Sequence, residues 1–147
     1  MLSLINNILD LNKLEANKAG LRVDKFNLKK RILEVITALN YSANKSNVQV
    51  HFEFDDQIPN LLNGDSIKLS QVLINLIGNA IKFTKDGNIT LSCATSPDND
   101  DGLVELTCSV RDTGIGIASD KLESLFEAFT QADASNTREY GGTGLGL

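Results

Sequence analysis

The sequence predicts a mixed α/β domain, in which helices and strands share one hydrophobic core. Segments with apolar residues every three or four positions alternate with segments in which every second residue is apolar. The chain has 147 residues, 41% of them hydrophobic, which is the length and composition of one domain with a core. The net charge of −5 argues against a protein that binds nucleic acid or acidic lipid. No apolar run approaches the ~20 residues of a membrane span.

Helical spacing marks three segments. Residues 1–17 have apolar residues at helical spacing from Met1 onward, with no capping residue at the start. We therefore expect this segment to be the end of a longer helix. A second helix is predicted from residue 28, capped by Asn27, to an end between residues 41 and 47. A third is predicted at 66–84. All three have one apolar face, as helices that pack on a core require.

Alternating apolar residues predict the strands. The clearest is 48–54, which alternates throughout and therefore has one buried face. The other predicted strands are 21–26, 89–94 and 103–112, joined by a loop at 55–64, a turn at 85–88 and a polar loop at 96–102. A short helix (119–129), a polar stretch (130–140) and a glycine-rich run (141–147) follow.

The two cysteines are too few for a disulfide framework, and neither lies in a metal-type cluster. Each follows the alternation of its own strand. Pairing of the two strands around the 96–102 loop would set Cys93 nearer to Leu106 than to Cys108. We therefore expect buried free thiols rather than a disulfide.

The helix at 66–84 carries polar residues that could bind a ligand. Asn75, Asn79 and Lys82 stand at i, i+4 and i+7 and so share one face, which we expect beside the apolar stripe. An amide oxygen is a good ligand for a hard cation, and an ammonium group suits a phosphate oxygen. The alternative is a solvated polar face, which this helix alone does not exclude.

A second candidate is the segment Asp112-Thr-Gly-Ile-Gly-Ile117, which directly follows a strand. A carboxylate at a strand end can accept a hydrogen bond from an exocyclic amine such as that of adenine. Gly114 and Gly116 carry no side chain, so a flat ring or a backbone turn can approach closely. The alternative is an ordinary turn closed by an Asx-type hydrogen bond.

The third candidate is the glycine-rich run at 141–147. Repeated glycines let successive backbone N–H groups point at one anion, above all where the run enters a helix. The run is not a Walker loop, and no strand leads into it as in a dinucleotide-binding fingerprint. The alternative is a flexible tail.

Taken in order, these segments resemble the ATP-binding catalytic domain of sensor histidine kinases. They are similar to the family's asparagine box (75–84), first glycine box (112–117), phenylalanine box (126–131) and second glycine box (141–147), in wording close to the hybrid kinases. The opening residues resemble the end of the family's dimerisation helix. The resemblance therefore divides the chain into that helix end at 1–18 and an ATP-binding domain at 19–147.

The resemblance implies a Bergerat-type two-layer α/β (α+β) sandwich, with a mixed sheet packed on helices and ATP between the layers. It implies ATP and Mg²⁺ as cofactors. By motif position, Asn79 would bind Mg²⁺, with Asn75 as its partner near the triphosphate. Lys82 would contact phosphate, so Asn75 and Lys82 are the implied catalytic residues.

The same resemblance implies the remaining contacts to the nucleotide. Asp112 would hold the adenine amine, and Gly114 and Gly116 would shape the base pocket. The other implied residues belong to an ATP lid at 130–140, its anchors and the second glycine box: Phe126, Phe129, Arg138, Gly142, Gly144 and Gly146. Core packing for the two phenylalanines and a solvated lid charge for Arg138 stay open as alternatives.

The implied function is to bind Mg·ATP and donate its γ-phosphate to a histidine on a separate dimerisation domain, for relay to an aspartate of a receiver domain. A homodimeric parent and a cytoplasmic location of this segment are also implied, with no contact to nucleic acid or membrane. The alternatives are a nucleotide-binding regulatory module without transfer, or an ATPase of the same superfamily. Asn75 disfavours the ATPase, because gyrase and chaperone relatives have a water-activating Glu there, and an amide accepts no proton at neutral pH.

Two features depart from the family pattern. His51 lies mid-strand without the sequence context of a phosphoacceptor, so we expect it to be an exposed strand residue and the acceptor to lie elsewhere. The sequence ends in the second glycine box, where the family continues into a helix and further strands. For this incomplete sheet we expect weak nucleotide affinity and a tendency to dimerise.

Overall fold

Two long helices and short strands alternate along the chain. A computed structural model gives the structure, which describes residues 20–96 and 103–121. The elements in order are β1 (Asp24–Phe26), α1 (Leu28–Lys45), β2 (Val48–Phe54), β3 (Leu62–Gly64), α2 (Ser66–Phe83), β4 (Gly87–Thr95), β5 (Leu106–Asp112) and a 3₁₀ turn (Ser119–Lys121). Residues 23–115 form one compact unit, and residues 20–22 and 116–121 are assigned to another.

The main sheet of the described residues is mixed, with the strand order β2-β4-β5. β4 pairs with β2 in parallel and with β5 in antiparallel orientation. A parallel pair needs a crossover connection, and here α2 lies in the connection between β2 and β4. A second, two-stranded sheet is formed by β1 and β3.

Both helices begin at side chains that cap their free backbone N–H groups. Asn27 Oδ1 accepts from the N–H of Lys30 at 2.8 Å at the start of α1. Asp65 Oδ1 accepts from the N–H groups of Ile67 and Lys68, at 3.1 and 2.9 Å, at the start of α2. Such caps typically stabilise a helix by about 1 kcal/mol. Neither described α-helix has the length and apolar character needed to cross a membrane.

The core lies between the helices and one face of the main sheet. β4 is central, and its inward residues Ile89, Leu91 and Cys93 are all buried. The buried hydrophobic residues of the described core are Leu28, Ile32, Val35, Ala43, Val48, Ile58, Leu73, Ile77, Ala80, Ile81, Ile89, Leu91 and Cys93. Helices on a mixed sheet form the two-layer sandwich that the sequence predicts.

The structure confirms most predicted elements and corrects others. The strand at 48–54 is found with the predicted bounds, and His51 on it is exposed. The segment 62–64, predicted as loop, is a strand that pairs with 24–26, so the predicted strand 21–26 is shorter and the loop is interrupted. β5 begins at residue 106 rather than 103.

The predicted register of the cysteines is wrong. Cys93 lies directly opposite Cys108 in the β4–β5 ladder, not opposite Leu106, which pairs with Thr95. Both cysteines are free thiols, as expected. The predicted helix at 1–17 and the predicted segments after residue 121 lie outside the described residues, so the division at residues 18 and 19 stays a prediction.

Candidate functional site

The polar face of α2 carries three of the predicted site residues. A helix turns by about 100° per residue, so Asn75, Asn79 and Lys82 share one face. On the helix, that face lies opposite the buried residues Leu73 and Ile77. All three polar residues are nevertheless half-buried. The face is therefore partly sheltered, without being part of the apolar core.

The groups on this face are chemically suited to a cation and an anion. Within the described part of the chain, the side chains of Asn75 and Asn79 make no hydrogen bond, so their amide oxygens are not engaged there. The Lys82 ammonium lies 4.9 Å from the ring centroid of Phe83, in cation–π geometry. Neutral oxygens and one ammonium along a single helix face can bind a metal ion and the phosphate that accompanies it.

The predicted carboxylate is at the carboxyl end of β5, where it closes a turn. Asp112 is exposed, and its Oδ1 accepts a hydrogen bond from the N–H of Gly114 at 2.9 Å. This is the Asx-type turn that the sequence left open as an alternative. The second carboxylate oxygen has no hydrogen-bond partner among residues 20–96 and 103–121, so one acceptor of Asp112 stays available.

The loop after Asp112 is joined to the C-terminal end of α2. The N–H of Ile115 donates to the carbonyl oxygen of Phe83 at 3.2 Å. A Cβ at Gly114 would overlap that carbonyl oxygen and lie 2.9 Å from both the Phe83 carbonyl carbon and Asp112 Oδ1. Glycine is needed here because the loop backbone packs directly on the helix end. The carboxylate loop and the amide-bearing helix therefore meet at one junction.

The sequence prediction missed two residues that hold this loop in place. The N–H of Thr113 donates to the carbonyl of Asn88 at 3.1 Å, and the N–H of Asn88 donates to Thr113 Oγ1 at 3.0 Å. This reciprocal pair connects the loop to the start of β4. The sequence does show a threonine inside the Asp-x-Gly turn, which indicates a possible hydrogen bond. Its partner, Asn88, is 25 residues away and could not be predicted from residue spacing.

The remaining predicted residues fall into two groups. Gly116 has φ +71°, in the left-handed region that favours glycine. Its backbone conformation therefore explains why glycine occupies this position. The others lie outside the described residues: Phe126, Phe129, Arg138, Gly142, Gly144 and Gly146.

Two open grooves lie on the described surface. One of about 410 Å³ runs between α1 and α2, where Arg31, Ile74 and Asn75 are among its lining residues. The other, of about 670 Å³, follows α1 from Asn27 onward. Neither includes Asn79 or Asp112, so the candidate site is defined by the junction of α2 with the loop after β5 and not by these grooves.

Comparison with known proteins decides the family. The family described as "Histidine kinase-, DNA gyrase B-, and HSP90-like ATPase" matches residues 64–147, more than half of the chain. The chain belongs to this ATPase family. The match includes α2 and the Asp112 loop, the two parts of the junction described above.

Relatives and solved structures of this ATPase family align with nearly all of the chain. It is 41% identical over its full length to "Hybrid signal transduction histidine kinase L" of Dictyostelium discoideum, of which it spans 8%. It is similar to full-length ShkA in complex with AMPPNP, with 30% identity and a TM-score of 0.80 over 99% of this chain and 28% of that one. It is also similar to histidine kinase ThkA in complex with response regulator protein TrrA, with 26% identity and a TM-score of 0.66 over 88% of this chain and 37% of that one.

These likenesses confirm the resemblance to histidine kinases and the Bergerat-type sandwich. By family, the chain is the ATPase-type domain of a histidine kinase of two-component signalling. The curated relative is far longer than the chain, so the comparison concerns one domain of a larger architecture. The roles of individual site residues stay predictions.

Proposed function

We propose that this chain binds Mg·ATP and, in the whole protein, donates the γ-phosphate to a histidine on a separate dimerisation domain. One observation carries the proposal. The loop that starts at Asp112 is bonded to the end of α2 through Ile115 and Phe83. A carboxylate for the base and a polar helix face for the phosphates therefore belong to one connected structure.

The proposed contacts to the base come from this loop. The unengaged oxygen of Asp112 would accept a hydrogen bond from the adenine amine, because its other oxygen already holds the turn. Gly114 lets the loop lie close to α2, which fixes where that carboxylate stands. Gly116 supports the backbone path that follows. The loop thus acts as a rigid holder for one hydrogen-bond acceptor.

The polar face of α2 fits Mg²⁺ by its donor chemistry. Magnesium prefers oxygen ligands, and Asn79 offers a half-buried amide oxygen that is not bonded within the described residues. We propose Asn79 as the metal ligand, Asn75 as its partner and Lys82 as the phosphate contact. When bound, the metal ion neutralises charge on the phosphate oxygens.

Asn75 bears on the type of reaction. An amide cannot accept a proton at neutral pH, so Asn75 cannot act as a general base towards water. Positioning and charge neutralisation suffice for transfer of a phosphoryl group to a better nucleophile. We therefore propose slow hydrolysis and transfer to a protein acceptor. His51 is an exposed residue in mid-strand and is not proposed as that acceptor.

The residues outside the described part are proposed from the family resemblance. Phe126 and Phe129 would anchor a lid, and Arg138 would contact phosphate. The backbone at Gly142, Gly144 and Gly146 would line the phosphate side. The complex of a similar kinase with a response regulator supports a receiver domain as partner. We further propose a homodimeric parent and a cytoplasmic location for this domain.

Calorimetric titration of the chain with Mg·ATP tests the site. Asp112→Asn should weaken binding by roughly 10- to 100-fold, since a hydrogen bond to a charged group contributes about 1.5–3 kcal/mol. Glu105→Gln is the matched control, because it also removes one exposed carboxylate. Glu105 immediately precedes the first residue of β5, whereas Asp112 is the last residue of that strand. Equal affinity of the two variants would contradict the role of Asp112.

Phosphotransfer needs a separate assay. The full-length protein is incubated with γ-labelled ATP, with a separately produced dimerisation domain as acceptor. Acid-labile, base-stable label on that domain supports transfer to histidine. Free phosphate alone would indicate an ATPase, and nucleotide binding without either product would indicate a regulatory module.

A further inference from the structure

Two cysteines of the main sheet have their sulfur atoms in contact. Cys93 on β4 and Cys108 on β5 are direct partners in the antiparallel ladder, and their Sγ atoms are 3.1 Å apart. Cys93 is only 3% exposed, whereas Cys108 is half-buried. Both are free thiols in this structure. The proposed nucleotide site does not use either of them.

The position of this pair in the ladder suits a disulfide. The N–H of Thr113 donates to the carbonyl of Asn88 at 3.1 Å, and the N–H of Ser96 donates to that of Glu105 at 3.2 Å. Hydrogen-bonded and non-hydrogen-bonded pairs alternate along an antiparallel ladder. The cysteine pair is an odd number of steps from both bonded pairs, so it is a non-hydrogen-bonded pair. Such pairs have Cα atoms about 4.5 Å apart, within the range of disulfides.

The two thiols are chemically unequal. The two sulfur atoms share one hydrogen bond, in which either thiol could donate. This hydrogen bond lowers the pKa of Cys108, although partial burial acts in the opposite direction. The same hydrogen bond, together with burial, raises the pKa of Cys93. The thiolate is the nucleophile in thiol chemistry, so Cys108 is the reactive member of the pair. Cys108 is also the more exposed of the two, which allows an oxidant to reach it.

We propose that Cys93 and Cys108 form a reversible intrachain disulfide when a peroxide oxidises the domain. The sulfur of the Cys108 thiolate attacks one oxygen of hydrogen peroxide, so that an S–O bond forms, the O–O bond breaks and the departing hydroxide is protonated to water. The Cys93 sulfur then attacks the Cys108 sulfur. The S–S bond forms as the S–O bond breaks, and the Cys93 proton leaves with the hydroxide as a second water. Two thiols are oxidised to one disulfide, and one peroxide is reduced to two waters.

A reaction of this kind fits a pair that lies deep in a sheet. The thiols are already adjacent across two paired strands, so the bond requires no rearrangement of the backbone. Disulfides in reducing compartments are typically transient and redox-sensing. Because Cys108 is on the strand that ends at Asp112, the bond would fix the β4–β5 register next to the candidate site. The bond itself does not depend on nucleotide binding.

The test uses the 147-residue chain with dilute hydrogen peroxide and intact-mass spectrometry. We expect the monomer to lose the mass of two hydrogen atoms and both titratable thiols, and to regain them with dithiothreitol. A peptide map should join the segments that contain Cys93 and Cys108. Two thiols that persist, or a disulfide between chains, would overturn the proposal.

Two single variants test the order of the reaction. Cys93→Ser should leave the Cys108 sulfenic acid without its resolving partner, so that dimedone labels this variant. Cys108→Ser should give little label, because Cys93 is buried, which shields its thiol from the oxidant and by itself raises its pKa. Unfolding curves of both variants check that each is folded. Equal labelling, or stronger labelling of Cys108→Ser, would refute the assignment of Cys108 as the attacking sulfur.

Discussion

Gly114 is the residue at which a single methyl group should test the junction of helix and loop. In Gly114→Ala the new Cβ would overlap the carbonyl oxygen of Phe83 and lie 2.9 Å from its carbonyl carbon, where ordinary contact begins at 3.4 Å. The loop must therefore retreat by at least about 0.5 Å to relieve the contact with the carbonyl carbon, and further to relieve the closer contact with the carbonyl oxygen. The Ile115–Phe83 hydrogen bond, already 3.2 Å long, would then exceed 3.5 Å and be lost.

The expected loss of stability is the sum of the overpacking and the lost hydrogen bond. Overpacking of a tight contact costs about 1–3 kcal/mol, and loss of the backbone hydrogen bond costs about 0.5–1.5 kcal/mol. We expect Gly114→Ala to lower the free energy of unfolding by about 1.5–4.5 kcal/mol. Displacement of the Asp112 carboxylate should also weaken Mg·ATP binding by roughly tenfold or more, if the proposed adenine contact exists.

Urea denaturation followed by far-ultraviolet circular dichroism measures the first effect, and calorimetric titration the second. Gly78→Ala is the matched control for stability. It makes the same substitution on α2 at a position where no atom of residues 20–96 or 103–121 lies within 4 Å of the added Cβ. An alanine in a helix interior should stabilise the chain by about 0.5–1 kcal/mol. If both variants changed stability by the same sign and amount, the close approach of the loop to Phe83 would be refuted.

Three further predictions follow from other residues. Asn75→Glu supplies a proton acceptor and should raise ATP hydrolysis, measured as phosphate release, by about 10²-fold; an unchanged rate contradicts the role of the amide. Thr84→Val removes a buried hydroxyl whose Oγ1 has no hydrogen-bond partner in the described structure. Urea denaturation should therefore show a free energy of unfolding about 1 kcal/mol higher than that of the unchanged chain. A loss of stability would mean that the hydroxyl does have a partner. Because the hydrogen bond with Cys93 lowers the pKa of Cys108, Cys108 of the unchanged chain should react with iodoacetamide at a lower pH than Cys108 of Cys93→Ala, which lacks that hydrogen bond; equal pH profiles would argue against the hydrogen bond.

Local pattern was enough to predict the elements with clear periodicity. The strand at 48–54 alternates over seven residues, and its bounds were predicted correctly. The three-residue strand at 62–64 was missed because three residues are too few for a periodic signal. It exists through pairing with 24–26, which is nearly forty residues earlier in the chain. Contacts of that range cannot be read from a local pattern.

The register error has a different physical cause. Alternation tells which face a side chain occupies, and a shift of two residues leaves every side chain on the same face. Leu106 and Cys108 therefore satisfied the pattern equally well as partners of Cys93. The observed register is fixed by backbone hydrogen bonds at both ends of the ladder, such as that from Thr113 to Asn88. The contact between the two thiols therefore could not be predicted without the β4–β5 register.

The residues proposed for the candidate site stay a prediction, and the backbone connection between their two elements could not be predicted from the sequence. Asn79 and Asp112 were chosen from side-chain chemistry, because amides and carboxylates suit a metal ion and a purine amine. The element that joins them is a backbone carbonyl of Phe83, which every residue type possesses and no sequence pattern marks. Only the absence of a side chain at Gly114 gave an indirect sign that another backbone lies close.

The two interpretations of the Asp-x-Gly segment, ordinary turn and ligand site, are compatible in this structure. Asp112 uses Oδ1 to accept the N–H of Gly114, so the turn is real. That same bond orients the carboxylate and directs Gly114 towards the end of α2, where no larger residue fits. A carboxylate held through one oxygen loses little further freedom when a ligand binds to the other. The turn would therefore orient Asp112 as the acceptor that we propose for a purine amine, with the carboxylate two residues before the glycine.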